Sequence, residues 1–148
     1  MELAWILWLA NLLPQPVADP LCLTATVYLE ARDQSTTGQR AVAEVALRRT
    51  DSGLWGDSVC QTVTARSQFA PGIVSPRTRL KNPTAWQRAA RIAFASQNEW
   101  KRPAGQRREI VPGASHFAAH GLVEPDWARQ PVAVIGDHSF YRVTRLAP

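Results

Sequence analysis

The chain predicts an α+β fold in one domain, with helices in its first two thirds and a small antiparallel β-hairpin near the C-terminus. Apolar residues recur at helical spacing in segments that open on the helix-start signals Asp19-Pro20 and Asn82-Pro83. Alternating β-type residues appear only late, on either side of Gly136-Asp137. Helices first and strands last is the α+β order, and no linker is long enough to divide the chain. Its 148 residues, 45% apolar and 20% charged, suit one self-sufficient core.

The elements follow in order. Leu3 to Leu13 is apolar except for Asn11 and carries Trp5 and Trp8. It is roughly half as long as a bilayer crossing requires. Glu2 stands where an export signal has cations, and no small-x-small cleavage site follows. Three readings stay open: an unusual export signal, a membrane-surface anchor, or a helix packed on the domain. The joint Pro14-Gln15-Pro16 favours the packed helix. Residues 1–19 are therefore set apart as a hydrophobic N-terminal segment, and 20–148 as the main domain.

With Asp19 as cap and Pro20 in the first turn, a helix is expected over Leu21–Arg32. Thr36 and Gln39 have capping-box spacing and open a second helix through Ala41 to about Arg49, ended by Asp51-Ser52-Gly53. Asp57 opens a short helix through Val63, and Ser67 to Gly72 reads as loop. After Asn82-Pro83, Trp86, Ala89, Ala90, Ala93 and Phe94 form one helical face, with Arg88 and Arg91 opposite. Lys101 to Arg108 is a basic loop. Pro131–Ile135 and His138–Val143 are the two hairpin strands, and alternation puts His138 and Phe140 on one face and Tyr141 on the other.

Seventeen Lys and Arg against twelve acids give a net charge of +5. Much of the excess lies between Arg77 and Arg108, where nine cations meet one acid, Glu99. Such a stripe implies a polyanionic partner: nucleic acid, anionic lipid or bacterial wall. The cations are mostly Arg, which suits paired recognition of carboxylate or phosphate. No nucleic-acid motif and no interleaving of Lys/Arg with aromatics accompanies the stripe, which counts against nucleic acid. Cys22 and Cys60 have no metal-like spacing and are open to two outcomes, one disulfide in an exported chain or two buried thiols. His116, His120 and His138 lack zinc-site spacing, and Ser115 and Ser139 lack a nucleophile elbow, so neither metal nor cofactor is expected.

Glu30 stands out. It ends a helix whose segment Leu21–Leu29 carries no charge. Desolvation, the negative end of the helix dipole and Asp33 three residues on all favour its protonated form. Arg32, two positions away, points elsewhere on a helix. A carboxyl group kept protonated is what a general acid needs. The alternative is a helix-end Glu paired to a distant Arg.

Four separated segments together resemble the bacterial cell-wall hydrolase family of the spore-cortex-lytic (SleB) type. The first is Tyr28-Leu29-Glu30-Ala31-Arg32 followed by Gly38-Gln39-Arg40-Ala41-Val42-Ala43-Glu44-Val45 and Arg49. The second is Val59-Cys60 leading to Ser67-Gln68-Phe69, the third Gly113 to Phe117 with Pro125-Asp126-Trp127, and the fourth Ile135 to Tyr141. Together they span about residues 21–143.

The resemblance implies a lysozyme-like domain with Glu30 as catalytic acid. It implies cleavage of peptidoglycan between N-acetylmuramic acid and N-acetylglucosamine by a one-carboxylate lytic transglycosylase route. Hydrolysis would need a second carboxylate at a defined separation, which no family motif supplies. Tyr28, Gln68, Phe69, Phe117, Trp127, His138 and Tyr141 are the expected substrate contacts.

The substrate is then the glycan strand. The 77–108 stretch faces anionic wall or membrane surface, and nucleic acid is not a partner. The chain is expected to act as a monomer outside the cytoplasm, in the periplasm or wall, and its compactness suggests a phage lysis enzyme. The alternatives are a hydrolytic muramidase and a basic glycan- or nucleic-acid-binding module without activity. Three positions depart from the family pattern: Asp33 replaces its Gly, Gln34 its second Glu, and Arg48 its usual Asn.

Overall fold

The structure, a computed structural model, describes residues 2–10, 12–65, 69, 79–121 and 125–144. Gln68, expected to contact substrate, lies outside the described residues, as does Arg77 at one end of the basic stripe. The element order is α1 (Leu3–Ala10), α2 (Gln15–Ala31), α3 (Thr36–Ser52), α4 (Val59–Thr64), α5 (Pro83–Trp100), a 3-10 turn (Ala104–Gln106), β1 (His116–Ala119), β2 (Pro131–Ile135) and β3 (His138–Tyr141). The α+β arrangement is the one expected. The strands form one antiparallel sheet in the order β1-β3-β2, with Phe117 opposite Phe140 and Ile135 opposite His138.

Several local signals act as read. Asn82 caps α5, its side chain accepting from Ala85 N at 3.0 Å, and Pro83 follows in the first turn. Gly53 ends α3 in the left-handed conformation, which costs glycine nothing sterically. Gly136 also has positive φ, and its turn joins β2 to β3.

Other signals are redirected by packing. Helix α2 begins at Gln15, so Pro20 lies inside it. Pro16 sits in the first turn, where a missing N–H is harmless. The turn around Pro20 is held by the burial of Ala18, Asp19 and Cys22. Asp19 therefore does not cap its own helix; its Oδ1 accepts the Cys60 N–H at 3.3 Å, in the first turn of α4. Ser35, not Thr36, caps α3, accepting from Gly38 N at 3.1 Å. Ser58, not Asp57, caps α4. Phe94 is exposed, and Ile92, Ser96 and Trp100 complete the buried face of α5 instead. Strand β1 was not expected from its four-residue sequence His-Phe-Ala-Ala, which has no polar-apolar alternation.

Two apolar clusters meet at α3. Ala43, Ala46 and Leu47 face a helical cluster with Leu23, Val27, Val59, Val63, Ile92 and Ala93. Val42 and Val45 face a second cluster with Ala31, Val111, Ala114 and Phe140 of the sheet side. The two cysteines form a disulfide, Cys22–Cys60, which ties α2 to α4 across a Cα–Cα distance of 5.1 Å. Ile6 and Ala10 of α1 pack on the helical cluster, while Trp5, Trp8 and Leu9 are exposed. Among the described residues no helix is long and apolar enough to cross a membrane.

Candidate active site

Helix α3 assembles the site through three polar residues of its inner half. The two oxygens of buried Glu44 accept the backbone N–H groups of Ile110 (2.6 Å) and Val111 (2.9 Å). Burial raises its pKa, while those hydrogen bonds and the charges of Arg48 and Arg40 act against the rise. One turn on, Arg48 donates to the Ala114 carbonyl and, at 2.7 Å, to Glu109 Oε1. Arg49 donates from Nε to the Ser115 carbonyl at 2.7 Å. Adjacent guanidiniums thus hold adjacent carbonyls at the entrance to β1.

Arg49 is 6% exposed, and a guanidinium so buried needs compensation. Its central carbon lies 4.7 Å from the ring centre of Phe69 and 5.4 Å from that of Trp55. Burial pulls its pKa down to about 10, and attraction to the Glu30 carboxylate opposes that fall. Glu30 itself is half-buried in the last turn of α2. The carboxylate near the end of α2 therefore interacts with a cation from another helix, the pairing with a distant Arg that the sequence left open.

His116 borders the same guanidinium. Burial, and secondly the Arg49 charge, push its pKa down to about 4, so the ring is neutral at neutral pH. Its Nδ1 is 2.9 Å from Ser115 Oγ, and its ring lies 4.7 Å from Trp127, which in turn lies 5.5 Å from Tyr141. On the other face of the sheet, Phe117 lies 5.3 Å from His138, 5.9 Å from Phe140 and 6.3 Å from Phe69. His138 is buried, and burial lowers its pKa with help from His120, against Asp33 and Asp137. Among the described residues its Nδ1 has no hydrogen-bond partner.

A family model described as Cell Wall Hydrolase matches residues 33–141, most of the chain. The chain belongs to the cell wall hydrolase family. No curated protein and no solved structure gives a significant match. As a cell wall hydrolase it acts on peptidoglycan, outside the cytoplasm. The matched span begins three residues after Glu30.

The hydrolase carries its departures from the motif as clasps. Gln34 donates from Nε2 to Asp137 Oδ2 at 2.9 Å and accepts the Asp137 N–H on Oε1 at 3.0 Å. A carboxylate at 34 could not donate the first of these. Gly136 passes close by; a Cβ there would overlap Gln34 Oε1. The loop after Glu30 is thus fastened to the β2–β3 turn, beside His138. Arg48 is the clasp on Ala114 and Glu109 already described, with Trp100 under its guanidinium at 5.2 Å.

Of the expected contacts, Phe69 and Phe117 on one side and Trp127 and Tyr141 on the other are gathered around Arg49 and the sheet, with His138 behind Phe117. Tyr28 faces inward: it is 3% exposed, its hydroxyl accepts the Asn82 N–H at 3.2 Å, and its ring packs on Trp86. The basic stripe is divided. Arg88 donates to the Arg32 carbonyl, Arg102 pairs with Glu99, and Arg107 pairs with Asp51 and lies over Trp100. Lys81, Arg91, Lys101 and Arg108 are exposed. Among the described residues no group of three His, Cys, Asp or Glu side chains gathers as metal ligands.

The sequence marks Arg49 only as the end of a helix, and His116 only as a histidine without zinc-site spacing. The signal for Arg49 was its place on α3, four residues after Val45, on the face that buries the apolar positions. An Arg there must find partners inside the fold. Trp55 and Ser115 had no comparable signal.

Proposed function

We propose that this hydrolase cleaves the glycan strand of peptidoglycan between N-acetylmuramic acid and N-acetylglucosamine by lytic transglycosylation, with Glu30 as its single catalytic acid. The observation that carries this reading is half-buried Glu30 in the last turn of α2, close enough to feel the charge of Arg49, whose guanidinium lies against the rings of Phe69 and Trp55. A cation there favours the carboxylate form, the one that takes the C6 proton in the second step.

Glu30 gives its proton to the glycosidic oxygen as the bond to muramoyl C1 breaks. The Glu30 carboxylate then takes the proton of the muramoyl C6 hydroxyl as O6 bonds to C1. The proton lost in the first step returns in the second, no water enters, and the product carries a 1,6-anhydro ring. Arg49 balances the negative charge Glu30 bears between the two steps. Its fixed position, set by the Ser115 carbonyl and two rings, makes that balance preorganised. His116, neutral at neutral pH, is not a competing acid there. Phe69, Phe117 and Trp127, each partly exposed, form the groove walls in this reading, with buried His138 and Tyr141 behind them, and Gln34 holds the loop beside the acid.

The test is Glu30→Gln on purified peptidoglycan. Release of soluble fragments should fall by about 10²–10⁴-fold or more while binding to the insoluble wall persists. A variant that clears a wall suspension at the wild-type rate overturns the assignment. Mass spectrometry of the wild-type products decides the chemistry: anhydro-muropeptides are one water lighter than the reducing ends a muramidase leaves.

A further inference from the structure

We propose that the cleft beside Trp127 is a subsite for the free carboxylates of the peptide stems that hang from the glycan, read by Arg129 and Arg142. This rests on the glycan-cleaving reading of the Glu30 site. The cleft has a volume of about 1040 Å³ and is lined by Trp127, Arg129, Gln130, Val132, Arg142 and Thr144. It combines two guanidiniums, an indole and an amide, the set that binds a carboxylate together with an apolar side chain.

Three observations point to a ligand of this kind. Among the described residues neither Arg129 nor Arg142 has an acidic partner, unlike Arg48, Arg102 and Arg107, and both are exposed. Arg142 is also held in place: its Nη2 donates to the Pro112 carbonyl at 3.4 Å, and its guanidinium lies over Gly113. A Cβ at that glycine, which also has positive φ, would overlap the guanidinium. The cleft also shares a residue with the ring cluster of the candidate active site. Trp127 lines it and packs on His116 at 4.7 Å, and His116 feels the charge of Arg49, which is coupled to Glu30.

The geometry of the substrate favours stems over other wall anions. A stem peptide is attached to the muramic acid whose bond is cut, so its carboxylates lie near the scissile bond on every repeat. Teichoic phosphates have no such fixed relation to that bond. Two guanidiniums beside the sugar groove would therefore set the register of the strand and favour peptide-bearing strands.

The experiment uses the full chain and Arg129→Gln/Arg142→Gln, both at exposed positions, with thermal melting to confirm an unchanged fold. Cleavage is measured on intact peptidoglycan and on glycan strands stripped of peptides by an amidase. The ratio of kcat/KM on intact to stripped strands should fall about tenfold or more in the variant, mainly through KM. An unchanged ratio overturns the subsite.

Calorimetry with a soluble disaccharide-peptide gives an answer that does not depend on turnover. Its Kd should rise about tenfold in the double variant and on amidation of the stem carboxylates. Equal binding in all these arms, or tighter binding of poly(glycerol phosphate) than of the disaccharide-peptide, overturns the proposal. A wild-type protein that cuts neither substrate but binds the muropeptide through these arginines would refute the catalytic reading and leave the subsite standing.

Discussion

Acidification should weaken the fold through His116, and the size of the effect follows from where the ring sits. An unfolded imidazole titrates near 6.5, whereas burial and then the Arg49 charge hold the folded ring at about 4. Between those values the unfolded chain binds a proton that the native state refuses. Stability is therefore complete above about pH 6.5 and is lost as the pH falls toward 4. At about 1.4 kcal/mol per pH unit the interval amounts to about 3 kcal/mol, and solvent screening of this partly buried ring reduces it to about 2 kcal/mol.

Other groups titrate in the same range, His138 and the carboxylates among them, so the difference from a variant isolates the effect. Urea denaturation should be run from about pH 7.5 to about pH 4 on the protein and on His116→Asn. The variant should lose less stability across this range, by about 2 kcal/mol. Identical pH slopes would refute the reasoning, as would an NMR titration midpoint for His116 near the unfolded value.

Two further outcomes are expected. The Cys22–Cys60 bridge closes a sequence separation of 38, worth about 4 kcal/mol in unfolded-chain entropy, so a Cys22→Ala/Cys60→Ala variant should melt roughly 10 °C lower. A loss below about 3 °C by calorimetry would show that the bridge does not act through the unfolded chain. Gln34→Glu, which restores the family's usual residue, should set a second carboxylate against Asp137 and cost about 1–3 kcal/mol at neutral pH. Like-charge contact raises the folded pKa of the pair, so this penalty should shrink as the pH falls through that raised value. It should be reduced when Asp137→Asn is added, Asp33 Oδ1 at 3.3 Å from the same amide accounting for the remainder. Urea midpoints measure both effects, and an unchanged neutral-pH midpoint in Gln34→Glu would rule out the clasp.

The candidate site was legible in part. Glu30 showed itself because a carboxylate after nine uncharged residues is conspicuous in any one-dimensional reading. The hairpin was legible because Gly136-Asp137 is a turn signal between alternating residues. Its partner β1 was not, since a four-residue strand is defined by pairing with β3 and has little pattern of its own. Phe94 and Tyr28 show the same limit from the apolar side. Helical spacing says roughly which residues share a face, but not how far round the helix the covered face extends.

Local chemistry alone determined the α+β order, the Asn82 cap, the Gly53 stop and the family motifs, because each depends on residues within a few positions of one another. Tertiary structure decided the rest. Asp19 accepts the Cys60 N–H of α4 and does not cap its own helix, Gln34 clasps Asp137, and Arg48 and Arg49 reach Ala114 and Ser115. Those partners lie dozens of residues apart, and spacing along the chain carries no record of them. The cationic partner of Glu30 is the clearest case. Arg32 and Asp33 are its sequence neighbours, but Arg49, a charge coupled to it, comes from another helix, brought there because burying α3 against two apolar clusters leaves that guanidinium little path to water.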